Sequence, residues 1–174
     1  SALAAAFMRV KTSDRFEDLH RVARGVERFT VGTPPILQFA ALEAALDMWL
    51  TVDMDALRAA SVGLTERFIV EVEAHCAGFD LTLATPRDAN IRGSQVSFRH
   101  AEGYAIMQAL IARGVIGDFR AGSGDGKHLD ILRFGLTPLY TSFKDVWNAV
   151  EHLRQVLESG EWQKPEFNQK SAVT

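Results

Sequence analysis

The chain has 174 residues, of which 47% are apolar and 24% charged, with a net charge of −3. This is the profile of an ordinary soluble protein with room for one real core. The acidic balance argues against a nucleic-acid surface, which needs a basic face, and no apolar run approaches the roughly 20 residues of a membrane span. The single cysteine, Cys76, permits no intramolecular disulfide, so a cytoplasmic location is expected. A start at Ser1 rather than methionine fits a processed or truncated product, and a residue left by purification would look the same.

Residues 1–33 are charged and weakly patterned, with Gly25 and Gly32 as punctuation. Thr33-Pro34-Pro35 then reads as a helix start, with a hydroxyl at the N-cap and proline in the first turn, where its missing N–H costs nothing. That helix is predicted to run to about Leu50, with Ile36, Phe39, Ala40, Leu42, Leu46 and Trp49 forming a broad apolar stripe. A second helix is predicted from about Met54 to His75, turning Leu57, Leu64, Phe68, Ile69 and Val72 inward and ending at Cys76-Ala77-Gly78. The period then changes: Leu81-Thr82-Leu83 and Gln95-Val96-Ser97-Phe98 alternate like strands. A helix from about Glu102 to Arg113, closed by Gly114, leads into a third strand, Val115–Arg120. A loop over Ala121–Lys127, a fourth strand over Ile131–Leu136 and a last helix over about Ser142–Leu157 complete the chain. Phe143, Val146, Trp147, Val150, Leu153 and Leu157 make the apolar side of that helix. This order predicts an α+β domain: a small, mostly antiparallel sheet with helices packed on one face.

The fourth strand is the most informative segment. Side chains alternate along a strand, so Leu132, Phe134 and Leu136 belong to the core while Ile131, Arg133 and Gly135 share the other face. There a guanidinium stands beside a glycine that leaves room for a planar anion, and a carboxylate suits its two-pronged fork. From composition alone, an exposed arginine on an edge strand is the plainer reading. The helix start at Thr33 offers free N–H groups and a positive dipole end to a phosphate, although most such threonines only cap. Gly122–Lys127 lacks the spacing of a phosphate loop and is followed by a strand, which makes it a hairpin connection. The histidines show no metal-ligand spacing, Cys76 suits packing, and no nucleophilic triad or carboxylate pair stands out.

Several segments resemble, in order over residues 25–174, the C-terminal part of the bacterial kynureninase family. They are Gly25–Phe29 leading to Val31–Leu37, Ala41–Asp47, Thr85–Asp88, Arg92–Ser97, Glu102–Tyr104, Gly114–Arg120, Leu132–Tyr140 and Ala172–Thr174. The resemblance implies the small C-terminal domain of a fold-type I pyridoxal 5'-phosphate enzyme over residues 31–174, with residues 1–30 as the end of the large domain or a linker. It further implies a homodimer that hydrolyses L-kynurenine or its 3-hydroxy form to anthranilate and L-alanine in tryptophan catabolism. Arg133 would hold the substrate α-carboxylate, Gly32 would lie beside the substrate ring, and Thr33 would reach the cofactor phosphate across the dimer interface. The family's large domain supplies the Schiff-base lysine, whereas none of Lys11, Lys127, Lys144, Lys164 and Lys170 stands in the family's Tyr-Lys context. The chain is therefore expected to need a large-domain partner, with no catalytic residue or metal of its own and inactive alone. The alternative is a non-catalytic dimerisation or regulatory module derived from such an enzyme.

Overall fold

A computed structural model describes residues 25–26 and 35–169. The chain divides into two units, one ending at Thr51 and the other beginning at Val52. The boundary expected at residues 30 and 31 lies outside the described residues.

In the first unit, helix α1 spans Ile36–Trp49. Its N-cap position is taken by Pro35, in extended backbone and with no side-chain cap bond, so the helix starts later than a Thr33 cap would have it. Proline has no side-chain oxygen with which to cap. The helix is apolar round its circumference, and no residue in it is buried; Ile36, Leu37, Leu42, Leu46 and Met48 are all exposed. A helix of that composition is normally one that other structure covers.

The second unit has the predicted α+β layout. Helix α2 (Met54–His75) is followed by β1 (Thr82–Leu83), β2 (Gln95–His100), α3 (Gly103–Ala112), β3 (Asp118–Arg120), β4 (Asp130–Gly135) and α4 (Phe143–Ser159). The four strands lie in the order β1-β2-β4-β3, and every neighbouring pair is antiparallel. The strand carrying Arg133 is thus interior, not an edge.

Local chemistry sets the ends of these elements. Asp53 caps α2 by accepting from the N–H groups of Asp55 and Ala56. Ser142 and Asp145 form a reciprocal capping box at α4, and Gly160, with φ +66°, closes it. At the end of α3, the Gly114 N–H donates to the Ile111 carbonyl and the Val115 N–H to the Leu110 carbonyl, with Gly114 at φ +85°. This Schellman closure commits Val115 to the helix end. It is why the third strand begins at Asp118 and not at Val115 as the alternation suggested. Gly117, just before β3, has no space for a side chain: a Cβ there would stand 2.6 Å from the Met107 methyl and 3.0 Å from the Arg133 carbonyl oxygen.

One side of the sheet is packed. Val96, Phe98, Leu132 and Phe134 meet Leu64, Phe68, Ile69 and Val72 of α2, Ile106, Met107 and Leu110 of α3, and Val146, Val150, Leu153 and Val156 of α4. Phe68 lies at the centre, 4.9 Å from Phe134 and 6.2 Å from Phe98 between ring centroids. Truncating such a ring typically costs about 3–5 kcal/mol. Cys76 belongs to the same core, and burial pushes its thiol up to about 11, which suits packing and not nucleophilic chemistry. On α4, Phe143 and Trp147 keep their predicted side of the helix but are largely exposed.

Candidate functional site

The opposite side of the sheet is polar. Strand alternation and register put Gln95, Ser97 and Arg99 of β2, Ile131, Arg133 and Gly135 of β4, and Asp118 and Arg120 of β3 on it. Three arginines face one aspartate there, so this surface is locally cationic in a chain whose net charge is −3.

Arg133 occupies the middle of a row across three strands, with Ser97 opposite it on β2 and Asp118 opposite it on β3. Its Nη2 lies 3.2 Å from the Asp118 Oδ2 as an ion pair. The Nε is buried and has no acceptor. A buried donor left unpaired costs about 1–3 kcal/mol, and more when charged, so a guanidinium held this way is primed for an anion. There is also space: a Cβ added at Gly135, two residues along the same face, would meet nothing within 4 Å. Across the row, the Ser97 N–H donates to the Thr85 Oγ1 at 2.8 Å and the Gln95 Nε2 to the Ser97 Oγ at 3.2 Å. The first of these ties the loop before β2 to the sheet beside Arg133, and the second steadies Ser97 within β2.

Strand alternation alone does not mark Asp118; the signal for it lies in the hairpin. The glycine-rich centre of the β3–β4 connection lies between Asp125 and Gly126, and folding the hairpin about that point puts residue 118 opposite residue 133. The connection itself is a tied hairpin. The Ser123 N–H donates to the His128 carbonyl at 3.1 Å and the Gly122 N–H to the Asp130 Oδ1 at 2.8 Å. Ser123 and the Lys127 N–H hold the Asp125 carboxyl below its usual range. It leaves the sheet beyond the Arg120–Ile131 pair, the next row after that of Arg133.

A second arginine behaves differently. Arg92, quoted above only within a matching segment, is buried, with its Nε donating to the Thr65 Oγ1 at 3.4 Å and its Nη2 to the Glu66 Oε2 at 2.5 Å. Its Nη1 donates to the Arg87 carbonyl. All of its nitrogens are engaged, so it serves to fix the loop before β2 onto α2.

Gly32 and Thr33 lie outside the described residues. Among the described residues, no lysine stands on the cationic sheet face: Lys127 is in the hairpin, Lys144 begins α4, and Lys164 follows the turn at Glu161–Gln163. Nor could any group of three or more His, Cys, Asp or Glu side chains hold a metal ion, and no helix is long and apolar enough to cross a membrane. The arrangement at Arg133 is one that a planar anion could fill.

Fold and face together define an α+β domain with a helix-covered core on one side and an anion-seeking arginine on the other. The Kynureninase C-terminal domain family matches residues 57–153, and the chain belongs to that family. It is 51% identical over 150 residues to the kynureninases of Burkholderia mallei (strain SAVP1) and Burkholderia pseudomallei (strain 1106a), a stretch covering 86% of this chain and 34% of each of those proteins. It is 46% identical over 158 residues to the kynureninase of Pseudomonas fluorescens, covering 91% of this chain and 36% of that protein. The chain thus spans about a third of the length of the relatives it matches.

Proposed function

We propose that this chain is the substrate-binding and dimerisation part of a kynureninase, acting in the pyridoxal-phosphate-dependent hydrolysis of L-kynurenine or 3-hydroxykynurenine to anthranilate and L-alanine. The observation that carries the reading is Arg133: an interior-strand guanidinium with an unpaired Nε, on an open cationic face, in a chain of this family. Its role is to bind and orient the substrate α-carboxylate by a two-pronged pair. Gly32 beside the substrate ring and Thr33 on the cofactor phosphate complete the proposed set.

Pyridoxal phosphate supplies an electron sink when bound, and the lysine that holds it would come from the large domain present in the longer relatives. The test is to mix the chain with a separately produced large domain of the Pseudomonas fluorescens relative and pyridoxal phosphate. Kynurenine turnover that disappears with Arg133→Ala is the expected result. Stable association of the two pieces with no turnover would instead favour a non-catalytic module.

A further inference from the structure

We propose that Asp118 is the positioning residue of the Arg133 anchor; this rests on the reading of Arg133 as the carboxylate site. Asp118 is itself firmly held. Its Oδ1 accepts from the Phe119 N–H at 2.7 Å and from the Arg120 Nη1 at 2.9 Å, while Arg120 also donates to the Phe119 carbonyl at 2.8 Å. Only the Oδ2 is turned to Arg133, across one row of the ladder. A fixed carboxylate on a neighbouring strand is a good reference point for a long side chain with many rotamers.

The guanidinium chemistry fits. Nε and Nη2 form one edge of the fork, and Nη2 carries two hydrogens. Asp118 Oδ2 lies 3.2 Å from Nη2 as an ion pair, which steadies the group while the Nε–Nη2 edge turns to an incoming carboxylate. Asp118 also carries a charge that repels such a ligand. Arg120 on its other oxygen offsets that charge, so the hold on Nη2 outweighs the repulsion. The arrangement orients the anchor without neutralising the site, because the open face keeps more arginines than carboxylates.

The test uses the 174-residue chain with nitrogen-15-labelled arginine, following the Arg133 Nε–H resonance, assigned by its loss in Arg133→Lys, as L-kynurenine is added. A saturable shift is expected for the unaltered chain. Asp118→Ala should raise the apparent Kd about fivefold, the upper end for a part-exposed ion pair, and Asp118→Asn, which keeps a carbonyl dipole toward Nη2, should recover part of that. Asp118→Glu retains charge and fold but displaces the carboxylate by a methylene, so it too should bind several-fold more weakly; this variant decides the matter if Asp118→Ala does not fold. Binding unchanged or tightened in Asp118→Ala, an Asn variant as weak as the Ala variant, or a Glu variant equal to the unaltered chain would each overturn the positioning role. In all three cases Arg133 would remain the binding residue. A folded, unaltered chain whose Arg133 resonance ignores kynurenine would overturn the carboxylate anchor itself.

Discussion

Arg92 and Arg133 are both withdrawn from water by the same fold, and they illustrate two uses of a guanidinium. On the packed side, Arg92 has a side chain only 1% exposed and an acceptor for each of its three nitrogens. On the open side, Arg133 keeps a 30% exposed side chain, one ion pair at 3.2 Å and a buried Nε with no acceptor. Folding alone explains the first, because satisfied buried donors are the rule. It does not explain the second, whose Nε has no acceptor among the described residues. The lesson is that burial and charge do not separate structural from binding arginines; the donor left over does.

The comparison can be broken most directly at Arg133. Arg133→Ala should weaken kynurenine binding about a hundredfold, the effect of removing one partner of a desolvated charge pair. Thermal stability should stay level or rise slightly, since an unsatisfied donor is removed with the side chain. A clear fall in the melting temperature would move Arg133 into the class of Arg92. Arg92→Ala should do the reverse, lowering the free energy of unfolding in urea by about 2 kcal/mol, the worth of charge-assisted bonds to Thr65, Arg87 and Glu66. Kynurenine affinity should hardly change, and a parallel loss of binding would show that the two arginines are not independent.

The smallest effect concerns pH. His100 ends β2 on the packed side, where its Nδ1 accepts from the Glu102 N–H at 2.9 Å and burial pushes its pKa below the usual histidine value. The unfolded chain therefore binds the proton more readily than the folded one. Its contribution to stability is intact above about pH 6.5 and is lost as the pH falls from there through the lower folded value. Urea midpoints measured across that window should decline for the unaltered chain and decline less for His100→Asn. Equal slopes would remove His100 from the account. Kynurenine binding, placed on the opposite side of the sheet from His100, should not follow the same curve.

What the sequence disclosed depended on how local the cause was. The alternation around Arg133 gave its face because Leu132 and Phe134 fix the opposite one, and the apolar spacing of Val146, Val150, Leu153 and Leu157 marked α4. The third strand was drawn too long because Val115 and Ile116 alternate plausibly, while the competing helix closure at Gly114 involves backbone bonds that periodicity does not register. Arg92 was passed over because it sits in an irregular loop, where nothing in the pattern distinguishes a buried guanidinium from a solvated one. Asp118 was passed over because its meaning comes from hairpin register, which only the glycine-rich centre of the connection encodes. The stripe on α4 was read correctly in direction, but the exposure of Phe143 and Trp147 depends on what covers them, and no helix sequence states that.

Gly117 carries no charge and touches no ligand, yet it sets the clearance between β3 and β4. With the Met107 methyl 2.6 Å and the Arg133 carbonyl oxygen 3.0 Å from where its Cβ would be, even alanine would displace the Met107 side chain and press on the β4 backbone at the residue next to Asp118. The spacing between the aspartate and the guanidinium is therefore a mechanical tolerance, machined by the absence of one methyl group. A change of anchor geometry could be made there without altering either of the charged residues that form it.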